Sequence, residues 1–135
     1  MREKLPRSYA ALPNGTLSPI SVSVPTQGAA TCWQAVTPDG RFVYTSNSAT
    51  STISGFVIGT DGALTPLPGT VAATLPTGST NLDTAISSDG KFLYTLDSGT
   101  GLVSIFGING DGSLTSLGDA GGLSAAAGFN GIAAI

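Results

Sequence analysis

Few residues of this chain could carry out chemistry, and their types exclude several mechanisms. The 135 residues include no histidine and a single cysteine, Cys32. The chain therefore cannot form a Ser-His-Asp triad, a histidine zinc site or an imidazole base. An internal disulfide and a cysteine zinc cluster are excluded as well. We predict that the chain uses neither a metal nor a cofactor.

One constellation of polar and aromatic residues could bind a substrate, namely Trp33, Gln34, Asn81, Asp83 and Asn130. Each is expected at the end of a crossover, where the chain returns to the inner strand of a repeated unit. Only Asp83 could act as a base or a metal ligand, so it is the single candidate catalytic residue. The alternative is that these residues cap strands and satisfy buried backbone groups.

Two short motifs resemble catalytic signatures without their context. Ser88–Lys91 spells S-x-x-K, but the sequence repeat puts Pro38–Arg41 at the same place, so we interpret it as a turn. Gly122–Ala126 is close to a G-x-S-x-G nucleophile elbow, which needs a histidine partner that this chain lacks. We interpret that segment as a crossover loop.

Two further motifs are better explained as hairpin turns. Asn109–Ser113 begins like a calcium loop, yet Ala120 stands where a bidentate glutamate is required. Asn14–Thr16 spells a glycosylation sequon, but it aligns with the predicted turn at Asp61. Asn-Gly is itself a hairpin signal because both residues tolerate positive φ.

These residues must be positioned by an internal repeat. Residues 35–67 read AVTPDGRFVYTSNSATSTISGFVIGTDGALTPL and align without a gap with residues 85–117, AISSDGKFLYTLDSGTGLVSIFGINGDGSLTSL. Residues 14–20, NGTLSPI, match the end of the first copy. Units that stack only on their neighbours usually need three or more copies, so the two complete copies indicate part of a larger array.

Each repeated unit is predicted to contain four short antiparallel strands joined by tight turns, with no helical periodicity. This pattern is typical of a β-propeller blade, so we predict an all-β fold and an incomplete ring. The predicted divisions are a partial blade of outer strands with its crossover over 1–30, a blade and crossover over 31–80, a second over 81–127, and the first strand of a further blade over 128–135.

Residues that recur in both copies are predicted to form the core, because one shared active site cannot explain identity across two units. These residues are Phe42, Tyr44, Phe56 and Leu64, with their partners Phe92, Tyr94, Phe106 and Leu114.

Composition excludes several partners. Charged residues make up 10% of the chain and the net charge is -3, so no basic surface for nucleic acid is expected. No apolar run is long enough to span a membrane, and the first residues lack the apolar core of a signal peptide. The many Ser, Thr, Gly and Ala residues favour an extracytoplasmic parent protein, although the compartment is not determined.

The segments TCWQAVTPDGRFVYTSNSATSTISGFVI, NLDTAISSDGKFLYTLDSGTGLVSIFGI and GIAAI resemble the C-terminal blades of the β-propeller lactonase family. The best-known activity of that family is 6-phosphogluconolactonase, and its members typically have seven blades. The S/TPDG-x-F/Y-x-Y-x-x-N text is also similar to YVTN-type surface-protein propellers. The resemblance covers essentially the whole chain and about the last third of a family member.

The resemblance implies hydrolysis of a sugar lactone at the mouth of a central channel. Family members often carry a Gly-Pro-Arg-His run before the first strand of a blade, where this chain has Ala30–Trp33 and Ser79–Leu82. We therefore expect the isolated chain to be inactive and its parent to be the enzyme. The alternative is a non-catalytic YVTN-type module that binds a protein or a glycan.

Partners follow from the same interpretation. A small lactone or a carbohydrate is the expected ligand. The apolar faces at the two ends of the array are expected to be covered by further blades or by self-association.

Overall fold

The structure, a computed structural model, describes residues 5–135. These residues form ten β-strands and no helix, and so contain no helix that could cross a membrane. The strands are β1 (Ser8–Ala11), β2 (Leu17–Ser21), β3 (Thr31–Val36), β4 (Phe42–Asn47), β5 (Thr52–Ile58), β6 (Leu64–Thr74), β7 (Asn81–Ile86), β8 (Phe92–Asp97), β9 (Leu102–Ile108) and β10 (Leu114–Ala120).

The strands form three antiparallel sheets, each with its strands in sequence order. β1 pairs with β2, β3 to β6 form a four-stranded sheet, and β7 to β10 form a second. Each strand of the second four-stranded sheet begins 50 residues after its counterpart in the first. The prediction of an all-β fold built from four-stranded propeller blades is confirmed.

Tight turns between the inner strands repeat as well. The carboxylate of Asp39 accepts hydrogen bonds from the Thr37 hydroxyl (2.6 Å) and the Arg41 amide (3.0 Å), and both bonds lower its pKa. In the second sheet Asp89 accepts the same bonds from Ser87 and Lys91. The S-x-x-K sequence thus lies in a hairpin turn.

The core lies between the two four-stranded sheets. Tyr44 is fully buried there, and its hydroxyl donates a 2.7 Å hydrogen bond to the Gly112 carbonyl in the facing sheet. Burial raises the pKa of Tyr44 to about 12. The buried core residues are Phe42, Tyr44, Ile53, Leu67, Leu75, Leu93 and Phe106.

The core prediction is confirmed only in part, because Leu64, Tyr94 and Leu114 are half-buried and Phe92 is exposed. Phe42, Tyr44, Phe56 and Phe106 are buried. Phe92, the partner of Phe42, is 36% exposed. Because Leu93 lies in the core between the sheets, Phe92 lies on the opposite face of β8.

The predicted strand over 128–135 is not formed, and residues 121–135 contain no strand. A strand requires a neighbour to complete its ladder, and no described segment pairs with this one. The segment is held instead by the Ile132 amide, which donates a hydrogen bond to Asp83 (2.7 Å).

Candidate functional site

The five candidate residues lie along the inner edge of the two four-stranded sheets. Trp33 and Gln34 are on β3, Asn81 and Asp83 are on β7, and Asn130 follows β10. β3 and β7 are the inner strands of their sheets and contact each other. The candidates therefore share one region of the fold, although their side chains have different environments.

A cavity of about 210 Å³ brings Trp33 and Asn130 together, with Cys32 and Leu82 as the other lining residues. The pairing register shifts between Thr31 and Trp33 on β3, and at the equivalent place on β7. A bulge redirects the side chains of its strand, which explains why equivalent residues, Cys32 and Leu82, line one cavity.

A second, more open cavity of about 410 Å³ adjoins the same strand, β3. Its lining includes Gln34, Trp33 and Cys32 of β3 together with Leu5 and Pro6. The Trp33 side chain lines both cavities and is 50% exposed. It provides an apolar, planar surface that could pack against a sugar ring, as aromatic side chains do in ligand sites.

Asp83 is buried, with 4% of its surface exposed, and both carboxylate oxygens accept backbone hydrogen bonds. Oδ1 accepts from the Thr84 amide and Oδ2 from the Ile132 amide, each at 2.7 Å. To act as a general base, this carboxylate needs contact with a water molecule. Displacement of the Ile132 amide would free one oxygen for that contact.

Asn81 connects the two sheets. Its side-chain amide is fully buried and donates a 3.0 Å hydrogen bond to the Thr52 carbonyl of β5. Its Oδ1 atom is buried and has no hydrogen-bond partner among residues 5–135. Asn81 lines neither of the two cavities around Trp33.

Sequence reasoning missed a buried acidic group at Asp97. The Ser104 hydroxyl lies 2.6 Å from both Asp97 Oδ2 and Asp119 Oδ1, although it has only one proton to donate. Burial, with the nearby Asp119, raises the pKa of Asp97 to about 6, although the Ser104 hydrogen bond opposes the shift. The signal in the sequence was the exchange of Asn47 for Asp97 within an otherwise similar repeat.

The described residues provide few groups for stabilising negative charge. Of the three cations in residues 5–135, Arg41 donates to the Gly110 carbonyl at 3.1 Å and Lys91 lies 3.9 Å from Asp89, so these two belong to turns. The third, Arg7, is exposed and follows Pro6, which lines the larger cavity. Within residues 5–135 no three acidic, cysteine or histidine side chains are grouped to hold a metal ion. The two cavities offer one aromatic surface and two side-chain amides, and Asp83, like Asn81, lines neither of them.

Residues 7–128 match the family model described as "Lactonase, 7-bladed beta-propeller". No curated protein matches the chain.

Three solved structures illustrate the fold. A functionally unknown protein from Desulfotomaculum acetoxidans is 21% identical (TM-score 0.75) and is aligned over 88% of this chain and 36% of its own. The Pseudomonas aeruginosa periplasmic gluconolactonase PpgL is 21% identical (TM-score 0.71) and is aligned over 92% of this chain and 37% of its own. A candidate 6-phosphogluconolactonase from Bacteroides fragilis is 26% identical (TM-score 0.60) and is aligned over 79% of this chain and 30% of its own. This chain thus spans about a third of the length of these proteins.

Proposed function

Because this chain belongs to the lactonase family of seven-bladed β-propellers, we propose that it forms part of a propeller that hydrolyses a sugar lactone. The observation that carries the proposal is the cavity between Trp33, Leu82 and Asn130 at the inner strands of two family blades. Concave sites with an aromatic surface and a few polar groups are typical of small-ligand binding.

Lactone hydrolysis assigns different roles to these residues. Water attacks the lactone carbonyl, a tetrahedral oxyanion forms, and the ring C–O bond then breaks to leave a carboxylate and a hydroxyl. Asp83 is the candidate base that orients and deprotonates the water. Trp33 supports the sugar ring and Asn130 donates a hydrogen bond to one of its hydroxyl groups, while Gln34 lines the adjoining cavity. Asn81 holds β7 against the first sheet.

The oxyanion requires donors that these residues do not supply. Removing one oxyanion donor typically slows acyl transfer by about 100- to 1,000-fold. We propose that the other blades of the propeller provide the cationic donors, so that this chain forms one wall of the site.

A chimera tests this proposal. The matching third of the P. aeruginosa gluconolactonase would be replaced by this chain, and hydrolysis of gluconolactone would be followed by acid release. We expect activity that falls at least about 100-fold in Asp83→Asn and is retained in Asp111→Asn, which changes an exposed turn carboxylate. A folded, active chimera in which Asp83→Asn has no effect would remove Asp83 from the mechanism.

A non-catalytic glycan-binding module is the second candidate, and one observation favours it. A cleft of about 450 Å³ between the β4–β5 turn and the crossover before β7 is lined mainly by small and hydroxyl-bearing residues. Such groups can exchange hydrogen bonds with sugar hydroxyls. Binding of an oligosaccharide that shifts the NMR signals of Thr50 and Thr77, without any turnover in the chimera, would favour this function.

A further inference from the structure

The first sheet contains a buried side-chain network in which donors and acceptors are matched. The Thr31 hydroxyl donates to Asn47 Oδ1 at 2.7 Å. Asn47 Nδ2 donates in turn to the Ser54 hydroxyl at 2.8 Å, and that hydroxyl donates to the Thr26 carbonyl at 2.6 Å. Each of these side chains therefore has a partner, and the network is neutral.

The second sheet has the same positions, but acceptors replace the donors. Asn81, Asp97 and Ser104 stand 50 residues after Thr31, Asn47 and Ser54. Asp97 has a carboxyl oxygen where Asn47 has an N–H donor. The one donor group of Asn81, Nδ2, is directed to the first sheet, where it donates to the Thr52 carbonyl at 3.0 Å. The network of the second sheet thus has more acceptors than donors.

Two buried oxygens of this network have no donor among residues 5–135, namely Asp97 Oδ1 and Asn81 Oδ1. The two residues are paired across β8 and β7, just as Asn47 and Thr31 are paired across β4 and β3. Both are fully buried, so neither solvent nor a further blade packed on the outside donates to these atoms. Buried acceptors without a donor destabilise the folded state, and two of them side by side also repel each other.

A single proton on Asp97 satisfies both oxygens. A neutral carboxyl group has one O–H donor, and on Oδ1 that donor faces the acceptor of the paired Asn81. The Ser104 hydroxyl, which lies 2.6 Å from both Asp97 Oδ2 and Asp119 Oδ1, is then free to donate to the charged Asp119.

The groups around Asp97 also favour its neutral form. β10 contributes Asp119, which reaches Asp97 through the Ser104 hydroxyl of β9. β7 presents the neutral Asn81, and the acid of that strand, Asp83, accepts two backbone amides. The ion pairs among residues 5–135 lie in the Asp-Gly turns, so no cation there offsets the charge of Asp97. Burial raises the pKa of Asp97 to about 6 against the opposing hydrogen bond from Ser104, and Asp119 adds to the rise.

We propose that Asp97 and Asn81 form a proton-operated switch that ties the second sheet to the first. When Asp97 is neutral, its O–H donates to Asn81 Oδ1 and holds the amide so that Nδ2 donates to the Thr52 carbonyl. When Asp97 is ionised, its Oδ1 repels Asn81 Oδ1. The amide then rotates, Nδ2 donates to the carboxylate, and the Thr52 carbonyl loses its donor.

The switch acts at the end of β7 that lies next to the candidate site. The register of β7 shifts between Asn81 and Asp83, and Leu82, within this bulge, lines the cavity of Trp33. The bond from Asn81 to the Thr52 carbonyl therefore fixes the end of the strand that carries both Leu82 and Asp83. Ionisation of Asp97 as the pH rises through about 6 releases this end from the first sheet.

NMR spectroscopy of the isotope-labelled 135-residue chain, titrated with pH, tests the switch. The carboxyl carbon signal of Asp97 should titrate near pH 6, and the side-chain amide signals of Asn81 should move with the same midpoint. Asn81→Thr copies Thr31 and replaces the acceptor with a donor, which favours the carboxylate. The Asp97 midpoint should therefore fall by at least about one pH unit. It should stay unchanged in Asn109→Thr, which alters an exposed amide in a turn.

Asp97→Asn provides the matching control, because its carboxamide places an N–H donor where the neutral acid has its O–H. The Asn81 amide signals should then be independent of pH. An Asp97 midpoint near pH 4 in the parent, an unchanged midpoint in Asn81→Thr, or Asn81 signals that do not follow Asp97 would each overturn the proposal. If circular dichroism shows that Asn81→Thr is unfolded, Asn81→Ser replaces it, since its hydroxyl is also a donor. These signals report the switch whether or not the propeller hydrolyses a lactone.

Discussion

Asp97 and Asn47 occupy the same position in the two sheets, yet one is an acid and the other an amide. The amide of Asn47 donates to the Ser54 hydroxyl at 2.8 Å, so the first sheet has a neutral, satisfied pair. In the second sheet, the two carboxylates around Ser104 compete for one hydroxyl proton. A proton held on Asp97 relieves this competition.

Because of that proton, the free energy of unfolding should depend on pH. The folded state raises the pKa of Asp97 from 3.8 to about 6, so it favours the protonated form. The resulting stabilisation is complete below about pH 4 and is lost as the pH rises through 6, with an upper limit of about 3 kcal/mol. Asp97→Asn, which copies Asn47, should remove this loss.

Denaturant unfolding of the parent and of Asp97→Asn, measured from pH 4 to pH 7.5, checks this prediction. The free energy of unfolding of the parent should fall relative to that of the variant as the pH rises. The lowered pKa values of Asp39, Asp89 and Asp111, which lie in turns, contribute equally to both proteins and cancel in the difference. Parallel curves would show that Asp97 is ionised throughout.

The environments of Asp97 and Asp83 could not be predicted from the sequence. The mismatch between Asn47 and Asp97 looked mild, because the two side chains have the same shape. Its consequence depends on burial and on Asp119, which lies far along the chain and contacts Ser104 only through the pairing of β9 with β10. The role of Asp83 as a backbone acceptor was hidden for the same reason, because Ile132 is 49 residues away.

At the scale of strands and turns, the repeat predicted most of the structure. Tight turns and strands recur every 50 residues because the turn residues and the apolar positions recur. The bulges at Cys32 and Leu82 were not predicted, since a register shift depends on the neighbouring strand. The lining of the candidate cavity was therefore only half predicted, with Trp33 and Asn130 identified and Cys32 and Leu82 missed.

Packing between the sheets distinguishes two tyrosines that the sequence treats as equivalent. Tyr44 is fully buried, so Tyr44→Ala should cost about 3–5 kcal/mol, as for other large aromatic residues. Tyr44→Phe should cost about 1–2 kcal/mol because it leaves the Gly112 carbonyl without its donor. Tyr94 is half-buried, so both of its substitutions should cost less.

Chemical denaturation measures the free energy of unfolding of these four variants. The difference between Tyr44→Phe and Tyr94→Phe isolates the hydroxyl bond between the sheets, because the ring is kept in both. Equal unfolding midpoints for these two variants would show that the hydrogen bond from Tyr44 to the Gly112 carbonyl does not stabilise the contact between the sheets.

At the scale of the whole molecule, the chain is a segment of a propeller. Two blades carry most of the candidate residues, and the chain spans about a third of the length of the solved structures that it resembles. The candidate site is likewise only part of a site. It contains a binding surface with Asp83 close by in the sequence, and no Arg or Lys among residues 5–135 lines either cavity.

The most direct test of this account is the rate of gluconolactone hydrolysis by the purified 135-residue chain. Because no Arg or Lys among residues 5–135 lines either cavity to stabilise the oxyanion, we predict a rate equal to that of buffer alone, for both the parent and Asp83→Asn. Hydrolysis above this background that disappears in Asp83→Asn and persists in Asp111→Asn would contradict the account, since it would place a complete active site within these residues.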